Sequence, residues 1–143
     1  MEENNVLNEA AITYYASNNK DALFLFNAVK HGIKYSLFNT LALKSPFTIN
    51  EWTTFLHLSE RTMQRYKKEK TTFDPVTSEK ILEITLLYKL GIEVFGTNEK
   101  FASWLERKNG AIGNRKPKEL LENSFGIDFL KDELLRIEQG VLA

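Results

Sequence analysis

Apolar residues recur along this chain at helical spacing, and no stretch alternates in the two-residue period of a strand. After a polar, Asn-rich start over Met1–Lys20, Asp21 opens a run with Leu23, Phe24, Phe26, Val29 and Ile33. Gly32 is placed to end this first helix near His31, with Lys30 and His31 favourably set in its last turn. A second helix is predicted from about Lys34 to Leu43, turning Leu37, Phe38, Leu41 and Ala42 inward, and Ser45-Pro46 stops it. Thr48 and Glu51 have the spacing of a capping box, flanked by Phe47 and Trp52 as a hydrophobic staple, so a short helix should run from Ile49 to about Leu56. The chain turns at His57-Leu58, and Ser59 caps a helix reaching about Lys70.

Asp74-Pro75 begins the longest apolar helix, from Ile81 through Leu82, Ile84, Leu86, Leu87, Tyr88, Leu90, Ile92 and Val94 to Phe95. Apolar residues on nearly every face make it a buried hub. Gly91 inside it costs about 1 kcal/mol relative to alanine, which points to close approach by a neighbour. Gly96-Thr97 ends this helix and starts another carrying Phe101, Ala102, Trp104 and Leu105. A Gly/Asn-rich loop spans Asn109–Asn114, Pro117 opens a helix to Phe125-Gly126, and Asp128 caps a last helix ending at Gly140. The expectation is an all-α fold of two small units meeting near Phe73–Thr77: an arm over 1–20, a helix-turn-helix unit over 21–73 and a second helical unit over 74–143. The arm reads most plainly as disorder, or as a segment that orders on a second copy.

Composition narrows the function. The 143 residues are 43% hydrophobic and 27% charged, enough for a real core without metals or disulfides. Nineteen Lys and Arg balance nineteen Asp and Glu, so any basic footprint must be local. Cysteine is absent, which removes thiolate nucleophiles and thiolate metal sites and is compatible with a reducing compartment. The start lacks a basic segment followed by an apolar run, and Glu83, Lys89 and Glu93 interrupt the most apolar stretch, so a cytoplasmic protein with no membrane partner is expected.

Catalysis has little to stand on. The two histidines, His31 and His57, lie beside helix ends, and His57 in its turn reads as structural. No strand exists to carry a phosphate-binding glycine loop. Asp132, Glu133 and Glu138 share one amphipathic helix, where a solvated face outweighs an acid/base pair. The chain is expected to be no enzyme and to take no cofactor or metal.

The segment from Glu51 to Tyr66 resembles the helix-turn-helix of Xre-like repressors. In that motif one short helix crosses the DNA backbone while the second offers its first turns to base edges in the major groove. Leu58, Met63 and Tyr66 would lock the two helices, with Thr62 inward. The resemblance makes Ser59, Glu60, Arg61, Gln64, Arg65, Lys67, Lys68 and Lys70 the candidate DNA-binding residues. Arg and Gln suit bidentate reading of guanine and adenine, and the lysines suit phosphates. His57 stands where glycine is usual in the turn. The alternative is that these are solvated charges on a helical bundle.

Beyond Pro75 the sequence resembles the toxin-binding domain of the Xre/MbcA/ParS antitoxin family. The resemblance rests on Phe95-Gly96, Trp104-Leu105, Asn109, Gly113, Pro117, Leu120-Leu121, Gly126 and the terminal run Leu134–Val141. Asn114 stands where a second glycine is common. The resemblance implies a type II antitoxin whose partners are a RES-type NAD-consuming toxin or a related ADP-ribosyltransferase, operator DNA and a second copy of itself. It implies that the helix from Asp128 and the tail cover the toxin's NAD pocket, with Arg136, Glu138, Gly140, Val141, Leu142 and Ala143 as toxin-binding residues. Arg136 would reach acidic or NAD-phosphate subsites, and Val141 and Leu142 would be apolar anchors. Without the family, the same tail is an amphipathic helix with a frayed apolar end, and Trp104 and Leu105 are core packing. Two other readings stand beside the antitoxin: a stand-alone transcriptional regulator whose C-terminal domain mediates oligomerisation, and an interaction module with a degenerate helix-turn-helix.

Overall fold

The computed structural model describes Asn8, Ala10 and residues 22–140; the expected N-terminal arm otherwise lies outside the described residues, as do Val141, Leu142 and Ala143. The helices run in the order α1 (Ala22–His31), α2 (Tyr35–Lys44), α3 (Ile49–Leu56), α4 (Glu60–Glu69), α5 (Pro75–Phe95) and α6 (Asn98–Leu105). A 3-10 turn (Gly110–Ile112), a 3-10 helix (Pro117–Glu122) and α7 (Ser124–Glu138) complete the described chain. Among the described residues, extended pairing is confined to single bridges, Lys34 with Thr72 and Asn109 with Arg115. The all-α expectation holds. No helix among the described residues is long and apolar enough to cross a membrane.

Local signals explain most boundaries. Gly32 adopts φ +87°, and a Cβ there would stand 2.4 Å from the Phe73 carbonyl oxygen, so both conformation and contact require glycine. The Thr48 hydroxyl accepts the Glu51 N–H at 3.1 Å, while the Glu51 carboxylate accepts the Thr48 N–H at 3.0 Å. Phe47 meets Trp52 edge-to-face at 5.9 Å, closing the staple. Ser59, Asp74 and Thr97 cap α4, α5 and α6 by accepting the Thr62, Thr77 and Lys100 N–H groups.

The hub helix α5 buries Ile81, Leu82, Ile84, Thr85, Leu87, Tyr88 and Gly91, and it touches α1, α3, α6 and α7. A Cβ on Gly91 would fall 2.2 Å from the Phe101 ring, which is why the helix tolerates glycine there. On one side of α5 lies an aromatic cluster built from Tyr35, Phe38, Phe47, Trp52, Phe55 and Phe73; on the other, Phe95, Phe101 and Trp104 stack together. The Tyr88 hydroxyl donates to the Leu41 carbonyl at 3.0 Å, tying hub to α2 without stranding a polar group.

The last third departs from expectation. Pro117 opens a short 3-10 helix that stops at Glu122, and Asn123, not Asp128, caps the final helix by accepting the Gly126 N–H at 3.0 Å. Asp128 lies inside α7. Glycine is usually a helix terminator, but Gly126 is a contact glycine: a Cβ there would stand 1.9 Å from the Leu120 carbonyl oxygen. It lets α7 start hard against the preceding 3-10 helix.

Candidate DNA-facing and partner-facing surfaces

The turn between α3 and α4 decides whether a recognition helix can be presented. His57 occupies it in the left-handed region, φ 58° and ψ 37°, and its N–H reaches back to the Thr53 and Thr54 carbonyls. Its ring Nε2 lies 2.8 Å from the Glu122 carbonyl oxygen. A carbonyl only accepts, so Nε2 carries the proton and donates. Histidine therefore serves in place of glycine, because the turn is made and the side chain is held from outside it.

The motif's interior is packed. Met63 is buried, Leu58 is half-buried, and Tyr66 meets Phe73 at 5.2 Å, so α4 is pinned to the aromatic cluster by one face. Thr62 is half-buried and takes part in the Ser59 cap. The opposite face carries the candidates. Glu60, Arg61, Gln64, Arg65, Lys67 and Lys68 are exposed on α4, and Arg61, Gln64, Arg65 and Lys68 fall at the i, i+3, i+4, i+7 positions of one stripe. Ser59 is exposed but occupied as the cap, and Lys70 is exposed in a left-handed C-cap conformation, φ 53°. Arg65 lies 5.5 Å from the centroid of the Tyr66 ring. None of these cations pairs with a carboxylate among the described residues, so their charge is available to a partner.

The tail divides in two. Ile127, Leu130 and Leu134 of α7 are buried where α7 packs on α5, and Gly126 is buried against Leu120, so this part closes the protein's own core. Further on, Arg136 and Glu138 are exposed, and the Arg136 guanidinium comes within only 4.0 Å of Glu133. Gly140 is exposed at φ +73° with open space around it. Trp104 is half-buried and Leu105 fully buried, as core packing requires.

Two matches with known proteins cover these surfaces. Residues 26–85 match the antitoxin Xre-like helix-turn-helix domain, and residues 90–140 match the antitoxin Xre/MbcA/ParS C-terminal toxin-binding domain. The chain belongs to the Xre/MbcA/ParS antitoxin family. The protein named Antitoxin Xre from Yersinia enterocolitica serotype O:8 / biotype 1B is 23% identical to it over 120 residues, covering 83% of this chain and 81% of that one. Helix-turn-helix followed by toxin-binding domain is the build of a type II antitoxin, a regulator with a toxin and DNA as partners.

In this antitoxin the two matched regions are joined by a junction that the sequence does not reveal. The 3-10 helix lies along α3 in the same direction, with Lys118 beside Glu51 at one end and Glu122 beside His57 at the other. Lys118 bridges Glu51, at 2.5 Å, and Glu106; Lys116 also reaches Glu106, at 3.1 Å. Burial alone would push the pKa of the Lys118 ammonium down, but hydrogen bonds and charge from Glu106 and Glu51 outweigh it and leave the net shift upward. The hydrogen bond from Lys118 holds the Glu106 carboxyl below the usual carboxylate range. Lys118 and Glu51 are 67 residues apart, and each alone reads as an ordinary surface charge. Phe125 and Phe129, one turn apart on α7, are exposed, Phe125 to 89%.

His57 yields a graded expectation. Alanine there keeps the left-handed strain and loses the bond to Glu122, so His57→Ala should cost about 1–2 kcal/mol. His57→Gly relieves the strain and should recover roughly 1 kcal/mol of that loss. Chemical denaturation of both variants reads the difference directly.

Proposed function

We propose that this antitoxin neutralises a RES-type NAD-consuming toxin, or a related ADP-ribosyltransferase, by covering its active site with the end of α7 and the residues that follow. Acting in the cytoplasm as a homodimer, it represses its own operon by reading two half-sites with α4. The observation that carries the reading is the division of the surface. A cationic stripe with no carboxylate partner among the described residues lies on α4, and beyond Leu134, which is buried in the core, Arg136, Glu138, Gln139 and Gly140 are exposed.

In this reading Arg61, Gln64 and Arg65 meet base edges, and Lys67, Lys68 and Lys70 meet phosphates, with Ser59 and Glu60 at the start of the helix. Arg136 supplies a guanidinium for acidic or phosphate subsites of the toxin, while Glu138, Gly140, Val141, Leu142 and Ala143 complete the insert. The acidic balance from Glu119 to Glu138, with Glu119, Glu122, Asp128, Asp132, Glu133 and Glu138 against Lys131 and Arg136, suits a partner different from DNA.

Two variants separate the functions. A chain ending at Gln139 should lose neutralisation and keep operator binding. Arg61→Ala combined with Arg65→Ala should keep neutralisation and lower operator affinity on the order of a hundredfold or more. Toxin inhibition and mobility-shift assays on both proteins provide the four readings. A truncated chain that still neutralises would remove the tail from the mechanism. Full operator binding by the double variant would remove α4.

A further inference from the structure

The loop between α6 and the 3-10 helix holds a second cationic surface, outside the recognition helix. From Arg107 to Lys116 the sequence carries four cations, Arg107, Lys108, Arg115 and Lys116, and no carboxylate. In a chain of zero net charge, and in a module whose later residues are mainly acidic, this is a concentrated exception. Arg107, Lys108 and Arg115 are exposed, and none has an ion-pair partner among the described residues.

The loop is built rather than loose. The Asn109 N–H donates to the Arg115 carbonyl at 3.0 Å, and the Asn114 N–H donates to the Asn109 carbonyl at 2.9 Å. The Asn109 side chain accepts the Ala111 N–H at 2.8 Å. Gly113 and Asn114 take consecutive left-handed conformations, φ 73° and 60°, which glycine and asparagine tolerate. The bridge between Asn109 and Arg115 sets both ends of the loop side by side, and the loop's tip at Gly110 faces open space. Its two cationic ends are thus held as one patch.

The position of that patch identifies the partner. Glu106, immediately before Arg107, and Lys116, immediately after Arg115, are both in the ionic cluster with Lys118, and Lys118 is clamped to Glu51 in the first turn of α3. The loop is therefore tethered beside the N-terminal end of the helix that, in a helix-turn-helix, crosses the DNA backbone. We infer that Arg107, Lys108 and Arg115 contact phosphates of the duplex flanking the half-site read by α4, so that the toxin-binding domain itself contributes to DNA affinity. This rests on the helix-turn-helix reading. The contacts add affinity and salt dependence without sequence information, because phosphates are the same in every duplex.

The test uses the full chain and two duplexes of equal length, the DNA directly upstream of its own reading frame and a scrambled version. Binding is followed by fluorescence anisotropy over a salt series. Combining Arg107→Ala, Lys108→Ala and Arg115→Ala should weaken binding to both duplexes by the same factor, tenfold or more. The slope of log affinity against log salt should shrink by about 0.9 for each phosphate that is no longer neutralised. An unchanged melting curve excludes a folding defect, and Lys108→Glu alone should show the same trend. Arg61→Ala with Arg65→Ala should instead abolish the difference between the duplexes. If that variant loses discrimination while the triple variant keeps its affinity and slope, the loop is not on DNA although the helix-turn-helix is. Normal DNA binding by the triple variant with lost toxin neutralisation would assign the loop to the toxin and overturn the inference. A wild-type chain that binds neither duplex would remove the underlying reading as well.

Discussion

Trp52→Ala is expected to destabilise the antitoxin by about 3–5 kcal/mol, the cost of emptying a large aromatic site in a close-packed core. Trp52 is fully buried, sits 5.4 Å from Phe38 and 5.9 Å from Phe47, and donates its indole N–H to the Ser45 hydroxyl at 3.0 Å. Alanine removes the rings' shared partner and deprives Ser45 of a donor. Against a domain stability of about 5–15 kcal/mol, this is a large fraction. The melting temperature should fall by roughly 10 °C or more. Because α3 packs on both α4 and α5, DNA binding and toxin neutralisation should decline together on warming. Trp52→Phe, which keeps an aromatic ring in the site, should cost far less. Melting curves followed by circular dichroism distinguish these outcomes; an alanine variant as stable as the parent would show that the aromatic cluster is not what holds α3.

Gly126→Ala is the second large effect, and its sign is the informative part. In an ordinary helix, exchanging glycine for alanine gains about 1 kcal/mol. Here the new methyl would stand 1.9 Å from a backbone carbonyl oxygen and 2.8 Å from its carbon, neither the end of a flexible side chain. Either α7 or the 3-10 helix must move, at a cost of about 3 kcal/mol, so steric overlap wins over propensity. Toxin neutralisation should suffer, because α7 carries the tail. Gly110→Ala is the matched control: its Cβ would meet nothing within 4 Å, and stability should hold. Equal stabilities for the two variants in denaturant titrations would contradict the close packing of α7 on the 3-10 helix.

What could be read from the chain were features whose cause is local. Thr48 and Glu51 cap α3 through atoms three residues apart, and Asp74-Pro75 opens α5 within one turn, so spacing alone locates them. Gly91 was legible as a contact glycine because a glycine amid strong helix formers calls for a neighbour, and Phe101 supplies one. His57 was legible as structural because it falls at the turn. Its hold on the Glu122 carbonyl was not, since that contact spans 65 residues.

The same limit explains the error at α7. Gly126 resembles a stop when only its own neighbourhood is considered, and Asp128 looks like the next start; the Leu120 carbonyl that requires glycine is supplied by the turn's tertiary path. Among the surface candidates, exposure of Arg61, Gln64 and Arg65 followed from helical periodicity, with Met63 and Tyr66 facing inward. The junction of Lys118, Glu51 and Glu106 had no signal, because charges at these positions are compatible with solvent. Its consequence, a cationic loop set beside α3, becomes visible only in three dimensions.

Titration of the proposed RES-type toxin, purified, with the full-length chain while NAD consumption is followed is the most direct measurement of the central claim. Stoichiometric loss of turnover, with a plateau at a fixed ratio of the two proteins, is the expected result. Unchanged NAD consumption at a large excess of the chain would contradict the proposed neutralisation.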